Sequence, residues 1–448
     1  MSTPVSQRIV EEYAGLARAL APSGKVAARR RAAIAALSAV GLPTSRDENW
    51  RYANLRPLER QRFTPAAGTT VAAPAMLPEA LGDFARYVFI DGAFAAGMSA
   101  RLNSTAAALS VLADDSVESS GDAALTQEPT AGMLRAGVEG SEAARDQRLA
   151  LLNDAFATSG LAVRIPAATP EAVRLELLFV ASAAALEGAS YPRVQLQLDP
   201  GARLVLIERH LSLGPEGSFI ASSVCVDLGR GASLEHYRLQ ELNDRSILFD
   251  TLSAQLAKQA RYRLHGITSG AHSSRSTLAV RLAGESADLI LAVAALGDRQ
   301  QVQDTFARVE HAAPRAHTVQ TFRGIAAGRA RVAFNGKIVV AEGAAGADSL
   351  QSLRGLLAGP EAEIDVRPQL EIHTDEVRCS HGATAGKLDD NMLFYLLSRG
   401  LSAESAQRLL KWAFLEDVLA QIALPPLRRQ IEERLAAGLH DDALRELL

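Results

Sequence analysis

Two side chains that bind metals well lie two residues apart late in the chain. Cys379 and His381 open the segment CSHGATAGKLDDNMLFYLLSRG, which runs to Gly400. In an extended strand, residues two apart project from the same face, so the thiolate sulfur and an imidazole nitrogen could bind one metal ion. A structural zinc site takes four protein ligands and a catalytic one usually three. The pair is therefore either incidental or part of a site that a second chain completes.

Simpler explanations of these two residues stay open. A free cysteine is most often a small buried apolar side chain, and an isolated histidine is usually a hydrogen-bonded residue of the core or surface. Three further potential ligands lie nearby in the sequence, although their facing is undetermined: His373, Asp375 and Glu376. The spacing permits a shared metal site without requiring one.

Other patterns that could carry chemistry are incomplete. Residues 382–388, GATAGKL, resemble a P-loop, but the match is one residue short and Leu388 replaces the Ser or Thr that binds magnesium. We therefore expect no ATP site in this chain. The alternative function is that of a polysaccharide-active enzyme, a class that includes proteins built of stacked β coils. Such an enzyme would need clustered acids or a catalytic histidine. The available side chains are expected at solvated strand positions: Glu208, Arg209, His210, Glu235 and His236.

The composition excludes several classes of protein. The 448 residues include 47 basic and 51 acidic ones, so no basic excess exists to bind a nucleic-acid backbone. The longest apolar stretch, near Leu289–Leu296, is far shorter than the ~20 residues of a membrane span, and no signal peptide is evident. Two cysteines cannot form a disulfide framework. We expect a cytoplasmic protein with reduced thiols that binds neither nucleic acid nor membranes.

The middle of the chain has the alternation of β-strands. Apolar and polar residues alternate in short runs separated by glycine from about residue 162 to residue 372. Triplets of the form Ala-x-(Leu/Tyr/Thr) recur there at intervals of 30, 28, 27 and 29 residues, beginning at Ala202, Ala232, Ala260, Ala287 and Ala316. A period near 28 holds two short strands and two turns, which favours a solenoid of stacked β coils over the alternative, a β-sandwich.

The second cysteine, Cys225, lies out of phase with its apolar neighbours. Val224, Val226 and Leu228 take the inward positions of their strand, so Cys225 is expected on the opposite side. It is inert packing if that side is covered and a reactive thiol if that side is open.

Helical periodicity replaces the alternation near the end of the chain. Ser402 is a suitable cap for a helix that carries two apolar rows, one of Leu410, Phe414 and Val418 and one of Trp412, Leu415, Leu419 and Ile422. A helix resting on one core shows one stripe, so two rows predict that a partner also binds here. The alternative is a helix buried in its own bundle. We divide the chain into an N-terminal helical region with a linker and short strands (1–160), a β core (161–388) and a C-terminal helical domain (389–448).

Two long segments carry a resemblance to a known family. CSHGATAGKLDDNMLFYLLSRGLSAESAQRLLKWAF resembles the C-terminal signature of the SufB/SufD family of iron–sulfur cluster assembly proteins. GLPTSRDENWRYANL, with Glu48, Trp50, Arg51 and Tyr52, is similar to the N-terminal segment of the SufD branch. Scarcity of cysteine also favours that branch, although a SufB-like paralogue is the alternative. The likeness is weakest from about residue 99 to residue 140.

The resemblance implies a fold, a function and partners. The fold is a mainly β protein, with a right-handed parallel β-helix core flanked by α-helical N- and C-terminal regions. The implied function is that of a non-catalytic scaffold subunit in a complex with SufB and the ATPase SufC. His381, with Cys379 beside it, would hold a nascent iron–sulfur cluster or iron at the interface where the β-helix edge meets SufB. The C-terminal helices would bind SufC, and a homodimer of the isolated chain is left open.

Overall fold

The structure is a computed structural model that describes residues 4–20, 24–66, 77–100, 108–113, 145–167, 171–182 and 188–439. Its α-helices are α1 (Pro4–Leu20), α2 (Gly24–Val40), α3 (Ala150–Phe156), α4 (Asp390–Ser398), α5 (Ala403–Leu419) and α6 (Pro425–Gly438). Its strands are β1 (Ala85–Ile90), β2 (Ala93–Phe94), β3 (Ala108–Ala113), β4 (Ser159–Ile165), β5 (Val173–Ala181), β6 (Ala189–Ser190), β7 (Arg193–Leu198), β8 (Arg203–Ser212), β9 (Phe219–Leu228), β10 (Ser233–Leu242), β11 (Ile247–Leu256), β12 (Arg261–Gly270), β13 (Ser273–Leu282), β14 (Asp288–Gly297), β15 (Val302–His311), β16 (His317–Ala326), β17 (Arg331–Val340), β18 (Ala347–Leu357), β19 (Glu363–Ile372) and β20 (Val377–Gly386).

Successive strands of the middle region alternate between two parallel sheets. Sheet I contains β1, β2, β5 and the even-numbered strands from β8 to β20, and sheet II contains β3, β4, β6, β7 and the odd-numbered strands from β9 to β19. Each strand from β8 onward pairs in parallel with the strand two places along the chain, as β10 does with β8 and β12. The result is a β-solenoid of about eight turns, so the predicted mainly β fold with helical ends is confirmed.

The repeated alanines form one corner of the solenoid. All five have no exposed surface, and each directly precedes a sheet I strand. In four of the corners the alanine N–H donates to the carbonyl three residues earlier, at 3.0–3.2 Å. The preceding residue has a positive φ in every case, with glycine in the first two coils and Gln259, Ser286 and Arg315 in the next three. A small side chain recurs because this corner is closed tightly against the core.

Apolar side chains fill the space between the two sheets. The predicted inward residues Val224, Val226 and Leu228 all belong to this central core. Cys225 points outward and is 2% exposed, because the N-terminal helices cover that face of sheet II through residues such as Leu152. The covered alternative for Cys225, inert packing, therefore applies.

The segment that resembles the SufD branch is anchored to the outside of sheet II. Trp50 is buried, and the guanidinium of Arg275 lies 4.4 Å from the centre of its ring. Arg275 also donates to the Asn49 carbonyl at 2.8 Å and pairs with the buried carboxylate of Asp304. Glu48 pairs with Arg367 on the last strand of the sheet. These contacts hold the N-terminal region against the solenoid.

The C-terminal helices cover part of sheet I. Helix α4 is capped by the Asp389 carboxylate, which accepts from two backbone N–H groups of the first turn, and α5 by Ser402, which accepts from Ser405. Helices α5 and α6 pack on the outer face of sheet I through apolar contacts. No helix in the described ranges is long and apolar enough to cross a bilayer. The division at residues 160 and 388 stays a prediction.

Candidate functional site at the open end of the solenoid

Cys379 and His381 lie on β20, the last strand of sheet I. In the parallel register, Cys379 is opposite Ser349 and His381 is opposite Gln351 on β18. Cys379 is half-buried against the central core, and the His381 imidazole is exposed. The inward phase of sheet I includes both residues, so the thiol and the imidazole share the face that lines the interior. Residues 382–386, the segment that resembles a P-loop in sequence, continue this strand.

The solenoid ends at β19 and β20 without a covering element in the described residues. Among the strands that the structure describes, β19 pairs only with β17, and β20 pairs only with β18. Burial falls sharply at this end: β17 is almost wholly buried, β19 is half-buried and β20 is mostly exposed. Two ten-residue strands therefore present free N–H and C=O groups along one edge each, which is a template for strand pairing with another chain.

The nearby ligand candidates do not join the pair. His373 hydrogen-bonds to Glu371 at 3.0 Å, and Lys337 and His373 lower the pKa of that carboxyl through their hydrogen bonds. Asp375 is exposed. Across the described parts of the chain, no group of three or more His, Cys, Asp or Glu side chains is placed to hold a metal ion. Cys379 and His381 share one face of β20 at the open end, and their role as metal ligands stays a prediction.

Three of the side chains expected at solvated positions, Glu208, His210 and His236, are buried inside the solenoid, so that interpretation was wrong for them. Arg209 is also buried, where it donates to Gln430 of α6, and Glu235 is half-buried. The carboxylate of Glu208 accepts from Arg238 at 2.8 Å, from His210 at 2.8 Å and from His236 at 3.1 Å. Arg238 also donates to Asp250 at 2.6 and 2.7 Å. The sequence carried the signal, because residues 208 and 210 continue the inward phase of Leu204 and Leu206 on β8.

Electrostatics stabilise this internal cluster as a set of fixed charges. Burial raises the pKa of Glu208, but Arg238 and the two histidine donors outweigh it and hold the pKa well below its usual range. Burial lowers the pKa of His236, against the influence of Glu208, which favours the neutral form of this imidazole. A cavity of about 40 Å³ adjoins Arg238 and Asp250. A sugar polymer cannot reach groups enclosed in this way.

The predicted partner-binding helix α5 is largely occupied by its own chain. Leu415, Val418 and Leu419 are fully buried against sheet I, and Trp412 and Phe414 are partly buried in the same cluster. Leu410 is half-buried. The buried residues of α5 can contribute to partner binding only by holding the helix in place. Leu409, the residue before Leu410, is 43% exposed and is available to a partner.

Helix α4 is an apolar surface that the sequence interpretation missed. None of its residues is buried, although Met392, Phe394 and Tyr395 are 59%, 71% and 56% exposed. Its described packing partner is α5, and it follows β20 after only three residues. The signal in the sequence was a short helix that is apolar all round, which requires cover on more than one side.

Comparisons with known proteins agree with this architecture. The family model for the SUF system FeS cluster assembly SufBD core domain matches residues 179–414, just over half of the chain. The chain belongs to the SufBD family. It is 28% identical to the iron–sulfur cluster assembly protein SufD of Escherichia coli strain K12, over 89% of this chain and 90% of that protein. It is 30% identical to the SufBD family protein slr0076 of Synechocystis, over 90% of this chain and 89% of that protein.

A third SufBD relative, Rv1462 of Mycobacterium tuberculosis, is 27% identical over 57% of this chain and 65% of its own length. The family match begins in β5 and ends in α5, so it includes the solenoid, the Cys379–His381 pair and helix α4. The recognition of a SufD-like chain from its signature segments is therefore confirmed, and a role in iron–sulfur cluster assembly follows from the family.

Proposed function

We propose that the chain is a non-catalytic scaffold subunit that offers an incomplete metal site to a SufB partner. The observation that carries this proposal is the position of Cys379 and His381 at the uncovered end of the solenoid, facing its interior. The cargo is a nascent iron–sulfur cluster or iron, for which a thiolate and an imidazole are suitable donors. Two donors bind such cargo only when another chain supplies the remainder.

The same end of the molecule supports the proposed SufB interface. Pairing β19 or β20 with a strand of a sister solenoid would satisfy the free backbone groups of that edge. Ile372, which is 40% exposed, and the half-buried inward residues Ile364 and Leu370 would extend an apolar core across the junction. A second copy of this chain would use the same edge when SufB is absent.

The C-terminal helices are the proposed binding site for the ATPase SufC. Helix α5 is fixed to sheet I by Leu415, Val418 and Leu419 and presents Leu409 and Leu410 on its less buried sides. Nucleotide-driven movement of SufC would then reach the solenoid through this helix. The predicted site of action is a reducing cytoplasm, in keeping with Cys225 and Cys379, neither of which forms a disulfide.

Coexpression with SufB and SufC from the same organism tests the assembly. We expect the three chains to copurify and to form a cluster anaerobically, as measured by the cluster signal in Mössbauer spectra. The His381→Ala variant should still bind both partners but lose most of that signal. The matched control, His373→Ala, also replaces an exposed histidine and should behave as wild type. Normal cluster formation by His381→Ala would overturn the ligand role.

A second set of variants tests the SufC interface. Deletion of residues 401–448 should remove SufC and leave SufB bound. Because that deletion uncovers apolar surface of sheet I, Leu409→Glu serves as a milder variant that keeps the helices. Retention of SufC by both variants would place its binding site elsewhere.

A further inference from the structure

Two polar side chains lie directly beneath the proposed metal ligands. Ser349 is opposite Cys379, and Gln351 is opposite His381, one coil further into the solenoid. Ser349 is 1% exposed and Gln351 is not exposed at all. The Ser349 Oγ and the Gln351 Oε1 are nevertheless without a hydrogen-bond partner among the described residues. A buried polar atom left unpaired costs about 1–3 kcal/mol, so two together at one site require an explanation.

The orientation of the Gln351 amide is fixed by its surroundings. Its Nε2 donates to the carbonyl of Gly336 at 3.0 Å and to Oε1 of Gln320 at 2.9 Å. A backbone carbonyl can only accept, so the amide nitrogen must face Gly336 and the oxygen must be the free atom. Gly336 permits this approach because a Cβ there would lie 2.7 Å from the Gln351 nitrogen. The chain therefore holds one amide oxygen, unpaired, in a set position.

The residue above each unpaired atom can supply what it lacks. Parallel strands lie about 4.8 Å apart, so a side chain on β20 is within hydrogen-bonding reach of its neighbour on β18. Above Gln351 this side chain is His381, whose ring carries an N–H donor. Above Ser349 it is Cys379, whose sulfur accepts from a hydroxyl.

We propose that Gln351 and Ser349 are positioning residues for the open-end site. Gln351 Oε1 accepts from one ring N–H of His381, which leaves the other nitrogen free to face a metal, and the Ser349 hydroxyl donates to the Cys379 sulfur. Such partners behind a metal ligand fix the histidine tautomer and ring direction. This inference rests on the proposed function for its purpose, but it predicts a hydrogen bond from His381 to Gln351 with or without metal.

Nitrogen NMR of the full-length, metal-free chain labelled with ¹⁵N-histidine tests the hydrogen bond. At pH 8, the His381 signal, assigned by its loss in His381→Ala, should show one ring tautomer. Gln351→Leu should give the mixture typical of a free imidazole. Thr268→Val removes an inward-facing hydroxyl on β12, several coils away from Gln351. It controls for nonspecific effects of a substitution inside the solenoid and should leave the His381 tautomer unchanged.

The outcomes separate this inference from the proposed function. A mixed tautomer in the wild type, or no change in Gln351→Leu, overturns the positioning role even if His381→Ala blocks cluster assembly. A tautomer that depends on Gln351, together with normal assembly by His381→Ala, upholds the hydrogen bond and overturns the metal role. If both hold, Gln351→Leu should also weaken iron binding by the SufB-containing complex by about 10- to 100-fold.

Discussion

The buried cation Arg238 provides the sharpest test of how the solenoid interior is stabilised. Its side chain is 10% exposed, whereas those of Glu208 and Asp250 are 0% and 2% exposed. Arg238→Met preserves much of the volume but leaves both carboxylates without their cation. Breaking a buried ion pair in this way costs about 3–5 kcal/mol. Glu208 keeps its two histidine donors, so we expect a loss of about 4 kcal/mol rather than the sum of two broken pairs.

Urea unfolding followed by far-ultraviolet circular dichroism at pH 7.5 measures this loss. Arg281→Met is the matched control, because Arg281 pairs with Glu310 at 3.8 Å on the surface and its side chain is 48% exposed. Surface pairs contribute about 0–1 kcal/mol, so the control should remain close to wild type.

The dependence on pH and a compensating variant identify the cause of the loss. The deficit of Arg238→Met should narrow at pH 5.5, because the carboxyls left without a cation take up protons. Adding Glu208→Gln and Asp250→Asn should recover at least half of the lost stability. A deficit below about 1 kcal/mol, or a triple variant no more stable than the single one, would refute the reasoning.

Three further predictions follow from burial. Burial lowers the pKa of His265 and of His311 to about 4, and the unfolded value is about 6.5. Between pH 4 and pH 6.5 the unfolded chain therefore binds more protons than the folded chain. Each histidine should lower the free energy of unfolding by about 2 kcal/mol at pH 5.0, and this loss should be regained above pH 6.5. Urea midpoints that do not change from pH 7.5 to pH 5.0 would contradict this. A disulfide reagent should modify Cys379 in the folded chain and Cys225 only after unfolding, so two fast thiols would be inconsistent with the structure. Trp50→Ala should lose about 3–5 kcal/mol and expose the N-terminal segment to proteases, and wild-type resistance in that variant would mean that the anchor is dispensable.

The extent to which the fold follows from the sequence depends on the range of the interactions involved. Alternation and the corner alanines are local signals, since every coil must turn at the same tight place, and they predict the solenoid. The inward phase of Glu208 was also present in the sequence. The pairing of Cys379 with Ser349 was not, because the register joins residues 30 apart and no local pattern sets it.

The C-terminal helices show the same limit. Two apolar rows on α5 predicted contact on two sides, but only the tertiary arrangement decides which side faces sheet I. Val418 and Leu419, from different rows, are both buried there. Conversely, the short helix α4 leaves Phe394 in solvent, and only the structure shows that the described chain does not cover it. The surface left for partners is thus a property of packing rather than of periodicity.

Pulsed electron paramagnetic resonance on the assembled complex tests the central claim most directly. This chain alone is labelled with ¹⁵N-histidine, combined with unlabelled SufB and SufC, loaded anaerobically and reduced to a paramagnetic cluster state. We predict a ¹⁵N hyperfine coupling from the cluster that disappears in His381→Ala and persists in His373→Ala. A cluster that forms normally in the wild type with no ¹⁵N coupling from this chain would contradict the claim that His381 supplies a ligand.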